Sequence, residues 1–286
     1  MKLVRYGAPG QERPGLIDAQ GKLRDLSAHT GDIDAGALVR AGRARLATID
    51  PASLPEVAGT PRYGAPVART GKMICVGLNY SDHAAETGAA IPEQPILFMK
   101  ATSAIMGPND DVIIPKDSVK TDWEVELGVV IGDAARHVSV ADALKHVAGY
   151  LVVNDLSERA FQLEHGGQWT KGKGCDTFGP IGPWLLTADE VADPQDLALW
   201  LEVNGHRYQQ SNTSNMIFGV AELVSYISRY MSLQPGDIIS TGTPPGVGLG
   251  QKPPVYLRPG DVMELGIAGL GQQRQRTVAY DDAVPA

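Results

Sequence analysis

The chain of 286 residues carries 25 basic and 33 acidic side chains, for a formal net charge of -8, and 43% of its residues are hydrophobic. This composition is typical of a folded globular protein and argues against a disordered chain. An acidic chain without a basic stretch disfavours nucleic-acid binding, because phosphate contacts need clustered Lys and Arg. The 33 glycines and 20 prolines make up about 19% of the residues against an average of about 12%, which favours short strands and tight turns.

The sequence shows neither a signal peptide nor a membrane span. The first ten residues contain no apolar run, and no segment approaches the ~20 apolar residues that cross a bilayer. We therefore expect a cytoplasmic protein without a membrane partner. Cys75 and Cys175 are too few for a disulfide framework and lack the spacing of zinc ligands, so we expect two reduced thiols.

The first 70 residues differ in pattern from the rest of the chain. Short apolar runs over 2–6 and 15–18 alternate with glycine and aspartate turns, and a helix-like stretch over 35–49 leads into a segment rich in proline and glycine. We predict a small N-terminal domain over residues 1–70 and a larger second domain over residues 71–286.

Short apolar runs in the second domain predict buried strands that end in turns. The predicted strands are 73–76, 96–99, 111–115, 123–131 and 149–153. Apolar residues at helical spacing predict helices over 140–146, 156–164 and 219–231.

Two kinds of turn indicate antiparallel strand pairs. Asn204-Gly205 is the strongest short signal for a hairpin. Pro-Gly turns over 234–237 and 258–261 each precede a short apolar run. Because these pairs are local and the helices are few, we predict an α+β fold that is mostly β.

The segment Trp123–Val130 alternates glutamates with apolar residues. Side chains in a strand alternate with period two, so Glu124 and Glu126 point to the same face with their Cα atoms about 6.6 Å apart. Alone, this pattern is typical of a strand with one solvated face. The segment continues from Gly128 without polar alternation, however, which predicts a strand buried on both faces. Two buried carboxylates need a cation, because like charges in a protein interior raise one pKa strongly.

A third carboxylate, Asp155, closely follows the predicted strand that ends at Val153. Three carboxylates from two strands are typical of a site for a hard divalent cation, and Mg²⁺ prefers oxygen ligands while it keeps several water molecules. Zinc is not indicated, because no cysteine or histidine lies close in sequence. Glu124, Glu126 and Asp155 are therefore the predicted ligands of a cation that has positions left for a 2-oxo acid.

A histidine and a glutamate three residues apart, His83 and Glu86, lie in the glycine-bounded segment 77–88. At this spacing they share one face of a short helix, and the glutamate can orient the imidazole as in a base that activates water. The pair alone is more typical of a surface helix. Its place directly after a predicted strand, in a loop, favours the catalytic interpretation.

Two glycine-rich loops are further candidates, over 169–180 and 240–248. The first contains Lys171 and Lys173, and a lysine in a loop that approaches a ligand closely supplies charge for an enolate or a carboxylate. The second is rich in hydroxyls, including that of Thr243, and is not a dinucleotide fingerprint because no helix follows its glycines. Turn geometry explains both loops equally well.

Taken together, these segments resemble the fumarylacetoacetate hydrolase superfamily over residues 71–280. The motifs, in chain order, are Gly-Leu-Asn-Tyr-x-x-His-x-x-Glu from Gly77, Glu-x-Glu from Glu124, Val-Asn-Asp from Val153, Lys-Gly-x-Asp-Thr from Lys173 and Ser-Thr-Gly-Thr-Pro-x-Gly-Val-Gly from Ser240. The resemblance implies a mixed β-roll catalytic domain with a small N-terminal domain, a homodimer, and Mg²⁺ or Mn²⁺ in the site.

The resemblance also implies roles for residues that match its motifs. Glu124, Glu126 and Asp155 would bind the metal, and His83 with Glu86 would form the dyad that activates water.

Three further roles follow from the same resemblance. Lys173 would stabilise developing negative charge, and Gln162 and Thr243 would contact the substrate. Gln162 rests on the looser match of Glu158-Arg-Ala-Phe-Gln162.

The implied activity is metal-dependent hydrolysis of the C–C bond of a 2,4-dioxo acid of the acylpyruvate type, through a pyruvate enolate. The same enolate chemistry serves oxaloacetate decarboxylation and 2-hydroxydienoate isomerisation, and similar sequences are also named ureidoglycolate lyases. A metal-stabilised binding protein would keep the carboxylates but has no use for His83 and Glu86.

The N-terminal 70 residues resemble those of the shorter bacterial members and not those of the longer fumarylacetoacetases. Bacterial members of this length include hydrolases of 2,4-didehydro-3-deoxy sugar acids, of the L-rhamnonate and fuconate series. The resemblance therefore implies a sugar-derived dioxo acid as substrate rather than fumarylacetoacetate.

Overall fold

The computed structural model describes residues 1–82 and 91–283. Within them, the strands form a large sheet, a five-stranded sheet and a two-stranded sheet. The strands are β1 Lys2–Tyr6, β2 Arg13–Ile17, β3 Leu23–Asp25, β4 Tyr63–Gly64, β5 Met73–Gly77, β6 Ile96–Lys100, β7 Ile105–Met106, β8 Val112–Ile113, β9 Thr121–Asp122, β10 Val125–Ile131, β11 Val147–Asn154, β12 Ser157–Glu158, β13 Gly179–Thr187, β14 Ala198–Val203, β15 His206–Asn212, β16 Ile238–Ser240, β17 Val262–Ile267 and β18 Gly271–Val278.

The helices of the described residues are short, as the glycine and proline content predicts. The α-helices are α1 Ala35–Leu38, α2 Arg40–Ala47, α3 Val140–Ala143, α4 Arg159–Leu163, α5 Thr170–Lys173 and α6 Val220–Tyr230. The helix predicted over 219–231 is confirmed as α6, which buries Leu223, Val224 and Ile227 on one stripe.

The large sheet is mixed and places β10 in its interior. Its strand order is β3-β2-β1-β13-β11-β10-β16-β5-β6, with β4 against β1 and β7 against β13. Strand β10 is antiparallel to both β11 and β16, whereas β16 and β5 are parallel. Mixed sheets with few helices confirm the predicted α+β fold. The second, five-stranded sheet has the order β15-β14-β17-β18-β8.

Strand β10 is buried on both faces. Val129 packs in one core with Leu201 of β14 and Leu223 of α6. Its neighbour Val130 packs in a second core with Leu3 and Leu38 of the N-terminal segment. Because successive side chains of a strand point to opposite faces, two cores explain why the segment shows no polar alternation after Gly128.

The predicted hairpin joins β14 to β15. Asn204 and Gly205 have φ values of 52° and 77°. Two successive residues with positive φ are the mark of the tight hairpin turn that Asn-Gly favours, so the prediction is confirmed.

The two Pro-Gly turns have the same construction. Gly236 and Gly260 have φ values of 91° and 96°, as the third residue of such a turn requires. In each turn the following aspartate, Asp237 or Asp261, donates its N–H to the carbonyl of the residue three positions earlier. Its carboxylate accepts the N–H of that same residue, at 2.7 and 2.6 Å. These closed turns deliver β16 and β17 into their sheets.

Some predicted boundaries are wrong by a few residues. Strand β10 begins at Val125 rather than at residue 123, because the N–H of Glu124 donates to the side chain of Asn154 instead of a backbone carbonyl of β11. The helix expected over 35–49 is interrupted at Val39, whose ψ of 156° is extended. The helix expected over 156–164 begins only at Arg159, after the short strand β12.

The N-terminal segment extends the large sheet. Strand β1 is antiparallel to β13, with Lys2 opposite Leu186. The division at residue 70 stays a prediction. Cys75 is buried and Cys175 is half-buried, and both are free thiols. No helix in the described ranges is long and apolar enough to cross a membrane.

Candidate active site

The pairing of β10 with β11 brings two of the predicted ligands together. Val125, the first residue of β10, lies opposite Asn154, the last residue of β11. Just beyond this pair, the N–H of Asp155 donates to the carbonyl of Glu124 at 2.9 Å. An antiparallel pair places the start of one strand beside the end of the other, so the two acids meet at the same edge of the ladder.

The three predicted ligands form one cluster. Glu124, Glu126 and Asp155 each offer a carboxylate oxygen, and these oxygens lie within 4.8 Å of one another. The side chains are 6%, 2% and 0% exposed. The sequence thus predicted the positions of all three acids correctly, while their role as metal ligands stays a proposal.

Three buried cations surround the acids. Lys173 Nζ donates to Glu124 Oε2 at 2.5 Å and to Asp155 Oδ2 at 2.9 Å. Arg159 Nη2 donates to Glu124 Oε1 at 2.6 Å. Lys100 Nζ lies 2.6 Å from Asp155 Oδ1 and donates to the carbonyl of Lys173. The cluster therefore holds the acids in fixed orientations before any ligand binds.

The cations leave the two glutamates in different electrostatic states. Burial opposes ionisation of Glu124, but Lys173 and Arg159 outweigh it and lower its pKa to about 2. Burial raises the pKa of Glu126 well above its ordinary value, and the charges of Asp155 and Glu124 raise it further. The cluster thus pairs an ionised Glu124 with a Glu126 that needs more positive charge to ionise.

Hydrogen bonds from the end of β16 and from the loop after it fix the side chain of Glu126. Its Oε2 accepts the hydroxyl of Ser240 at 2.6 Å and the N–H of Gly242 at 2.9 Å. Gly242 has a φ of 99°, and a Cβ there would lie 2.7 Å from the Cβ of Asn79. Only glycine lets the backbone approach the carboxylate in this way.

The arrangement fits a divalent cation. All three donors are carboxylates, the oxygen ligands that hard cations prefer. Asp155 Oδ1 is buried and accepts no hydrogen bond from the described residues, since its contact with Lys100 lacks hydrogen-bond geometry. The raised pKa of Glu126 is a second sign, because a cation in contact would favour its charged form.

The cluster lies at the floor of a cavity of about 470 Å³. Glu124, Glu126 and Lys173 line it, and an aromatic pair forms part of the wall. The rings of Phe98 and Trp169 meet edge to face, with centroids 5.3 Å apart. A volume of this size is typical of small-molecule sites.

Both predicted substrate contacts line the same cavity. Gln162 accepts from Arg159 Nη1 at 3.0 Å, and its amide nitrogen makes no hydrogen bond within the described residues. The hydroxyl of Thr243 donates to the carbonyl of Val125 at 2.9 Å and accepts from Gln209 at 2.8 Å. Gln162 is therefore placed to donate to a ligand, whereas the proton of Thr243 is already used within the protein.

The predicted dyad, His83 and Glu86, lies outside the described residues. The segment that leads to it is anchored by Asn79, whose Nδ2 donates to the carbonyl of Thr241 at 2.7 Å. Asn79 thus lies directly beside the loop that holds Glu126.

Sequence reasoning missed three residues of the site, Arg159, Lys100 and Gln209. Arg159 lies inside the Glu158–Gln162 match, in which the resemblance implies a role for Gln162 alone. Lys100 ends an apolar strand and Gln209 lies in a polar one, and neither shows a local signal for a buried position. Their contacts arise only when distant elements pack together.

Comparison with known proteins decides the family. The family model described as the C-terminal domain of fumarylacetoacetate (FAA) hydrolase matches residues 72–278. The chain belongs to the fumarylacetoacetate hydrolase family. The family match extends from β5 to β18 and includes every residue of the acidic cluster.

Relatives support an enzyme of this family. A protein of Burkholderia multivorans is 64% identical over 98% of this chain and 99% of its own length. Its name gives an inferred hydrolase activity and no substrate. The structure of a fumarylacetoacetate hydrolase from Exiguobacterium antarcticum is 37% identical over 98% of this chain and 99% of that chain, with a TM-score of 0.88.

A third comparison concerns a metal complex. The maleylpyruvate hydrolase of Sphingobium sp. SYK-6, solved with manganese(II) and pyruvate, is 30% identical over 98% of this chain and 99% of that chain, with a TM-score of 0.81. Together with the acidic cluster, this likeness indicates a divalent metal in the family site here.

Proposed function

We propose that this chain is an Mg²⁺- or Mn²⁺-dependent hydrolase that cleaves the C3–C4 bond of a 2,4-dioxo acid of the acylpyruvate type and releases pyruvate. The observation that supports it best is the position of Lys173, whose ammonium bridges Glu124 and Asp155 at the floor of the cavity. Fixed positive charge beside a carboxylate cluster suits a reaction in which an enolate develops.

Glu124, Glu126 and Asp155 would hold the cation. When bound, it supplies positive charge that binds the carboxylate and 2-oxo groups and stabilises the enolate. The Sphingobium maleylpyruvate hydrolase, solved with manganese(II) and pyruvate, supports a site that takes both a divalent cation and a 2-oxo acid.

The chain's own residues would carry the proton transfers and the positioning. His83, oriented by Glu86, takes a proton from water, and the water oxygen forms a bond to C4. The C3–C4 bond then breaks, and its electron pair passes to C3 and the 2-oxo oxygen as the pyruvate enolate, beside Lys173. A proton added at C3 gives pyruvate, and C4 leaves as a carboxylic acid. Gln162 donates its amide N–H to the substrate.

Pyruvate release tests this proposal. We expect acetylpyruvate to give a higher kcat/KM than oxaloacetate, chelation to abolish the activity, and Mg²⁺ or Mn²⁺ to restore it. A higher kcat/KM for oxaloacetate would instead establish a decarboxylase. An unchanged rate after exhaustive dialysis against chelator would show that the acidic cluster does not bind an essential metal.

A matched pair of variants assigns the effect to the cluster. Glu126→Gln should lose both metal binding and turnover, because an amide is a poor ligand for a hard cation. Glu264→Gln removes a half-buried glutamate of the five-stranded sheet, outside the acidic cluster, whose ion pair within the described residues is with Arg274 at 3.3 Å, so it should behave as the wild type. Equal activity of the two variants would contradict the metal assignment.

A further inference from the structure

The wall of the cavity above the acidic cluster is apolar. Its described apolar side chains are Val76, Leu78, Phe98, Leu163, Trp169, Val247 and Leu249. Thr243 is the one hydroxyl-bearing residue among the described lining residues, and its hydroxyl already donates to Val125 and accepts from Gln209. The wall therefore suits a hydrocarbon chain and offers few partners to a polyhydroxylated one.

The rim of the same cavity carries a lysine. Lys252 lines the cavity beside Gln251, and its side chain is exposed. The other two cations of the described lining, Arg159 and Lys173, are committed to buried carboxylates. Lys252 forms no ion pair with any acid of the described residues. Among the described lining residues, therefore, the charges at the floor are paired, the wall is apolar, and Lys252 carries a positive charge that forms no ion pair with another described residue.

We propose that Lys252 determines substrate specificity by binding an anionic group at the far end of the substrate's acyl part. This rests on the proposed function, and it names the substrate class as a 2,4-dioxo diacid whose acyl chain is apolar between its two ends. The dioxo-acid end lies at the acidic cluster, the hydrocarbon chain lies against the apolar wall, and the distal carboxylate meets the ammonium.

Physical chemistry favours this order of groups. A lysine ammonium is a compact charge on a flexible stem, so it can follow a terminal carboxylate without fixed geometry. Hydroxyls buried against hydrocarbon without partners are penalised, whereas methylene groups are favoured there. A sugar-derived acyl chain is therefore a poorer match to this wall than an unsubstituted one, and the same experiment tests the sugar-acid expectation.

Three acylpyruvates separate these possibilities. Succinylpyruvate carries the distal carboxylate, butanoylpyruvate replaces it with a methyl group, and a polyhydroxylated acylpyruvate replaces the methylenes with alcohols. We expect kcat/KM to be about 10-fold higher for succinylpyruvate than for butanoylpyruvate, mainly through KM, which corresponds to one good charge contact. We expect the polyhydroxylated compound to be the poorest of the three.

Variants assign the preference to the lysine. Lys252→Gln should remove the preference for succinylpyruvate over butanoylpyruvate, measured as the ratio of the two kcat/KM values, and Lys252→Glu should reverse it. Lys116→Glu introduces the same charge change at an exposed position outside the described lining of the cavity and should leave the preference intact. A preference that survives Lys252→Glu, or a higher kcat/KM for the polyhydroxylated compound, would overturn the proposal.

Binding distinguishes failure of this inference from failure of the proposed function. With Mg²⁺ present, calorimetry should show tighter binding of 2-oxopimelate than of 2-oxoheptanoate, and Lys252→Glu should abolish the difference. If no acylpyruvate releases pyruvate but this difference is found, the hydrolase proposal is wrong and the lysine site stands. If the two ligands bind equally to the wild type, the lysine site is wrong whatever the turnover.

Discussion

The side-chain amide of Gln209 accepts the backbone N–H of Val125 at 2.9 Å. Val125 lies between the two buried glutamates, so a residue of the five-stranded sheet fixes the centre of the acidic segment. The amide nitrogen of Gln209 also donates to the hydroxyl of Thr243 and to the carbonyl of Pro244, both at 2.8 Å. One fully buried amide therefore joins the acidic strand to the loop that borders the cavity.

Replacing Gln209 should loosen the site as well as the fold. Gln209→Met keeps the side-chain volume but removes the partner of the Val125 N–H and of the Pro244 carbonyl. We expect this loss to lower the free energy of unfolding by about 2 to 4 kcal/mol. Metal affinity should also fall, because the segment that holds Glu124 and Glu126 loses its anchor. Urea unfolding and metal titration measure the two effects. Gln210→Met, at the adjacent exposed position, is the control and should change neither.

Arg159 positions two groups of the site at once. It donates to Asp122, Glu124 and Gln162 from three different nitrogens, at 2.8, 2.6 and 3.0 Å. A lysine cannot reproduce this fork, so Arg159→Lys should lower kcat/KM by about 10- to 100-fold.

The control for this change is Arg229→Lys. Arg229 is exposed, and its described contact is with the ring of Tyr226 at 5.9 Å. Steady-state kinetics on the best acylpyruvate compare the two variants. Activity in Arg159→Lys close to that of Arg229→Lys would show that the fork has no positioning role.

His83 tests the catalytic half of the proposal. His83→Ala should retain metal binding and lose turnover by about 10²-fold or more, because removal of a general base has effects of this size. Metal titration and pyruvate release give the two readouts. His29→Ala, at an exposed position in the N-terminal segment, should keep full activity. Turnover that survives His83→Ala would exclude the dyad and leave a different base to be found.

The buried phenol of Tyr150 should make the protein less stable at alkaline pH. Burial raises the pKa of Tyr150 from its ordinary value of 10.0 to about 12, with a further contribution from Asp193. The folded state thus holds the phenol proton more tightly than the unfolded chain does. The contribution of Tyr150 to the free energy of unfolding is therefore complete at pH values below the ordinary pKa of 10.0 and is lost as the pH rises towards about 12. A shift of two units corresponds to roughly 3 kcal/mol.

Comparison with a phenylalanine variant isolates this contribution. Urea unfolding between about pH 9 and 11 should give a steeper decline for the wild type than for Tyr150→Phe, which has no proton to lose. Tyr230→Phe, where the ring is 62% exposed, should follow the wild type. If the free energy of unfolding fell equally with pH in the wild type and in Tyr150→Phe, the pKa of Tyr150 would be the same in the folded and the unfolded protein.

The acidic cluster could be predicted from sequence because its determinants are local. The period of two fixes the relation between Glu124 and Glu126, and the antiparallel pairing of β10 with β11 brings the end of the later strand beside the start of the earlier one. Asp155 comes directly after Asn154, the last residue of β11, so strand pairing alone places it beside Glu124. The Asn-Gly hairpin and the Pro-Gly turns were predictable for the same reason.

The surroundings of the cluster could not be predicted in this way. Lys100 comes from β6 at the edge of the large sheet, and Gln209 comes from a different sheet. Which polar side chain enters the interior depends on how these sheets pack, and a single sequence carries no local record of that packing. The late start of the acidic strand, at Val125, has the same origin, since the side chain of Asn154 replaces a ladder partner for Glu124.

The central place of β10 has a consequence for how a metal would bind. With neighbouring strands on both edges and a core on both faces, the amides of residues 127–130 should exchange with solvent only when the whole protein unfolds. The carboxylates at its start are thus built into the most protected part of the sheet. A cation would meet a preorganised site and would not need to order the chain, so its binding should slow the exchange of these amides only by as much as it raises the free energy of global unfolding.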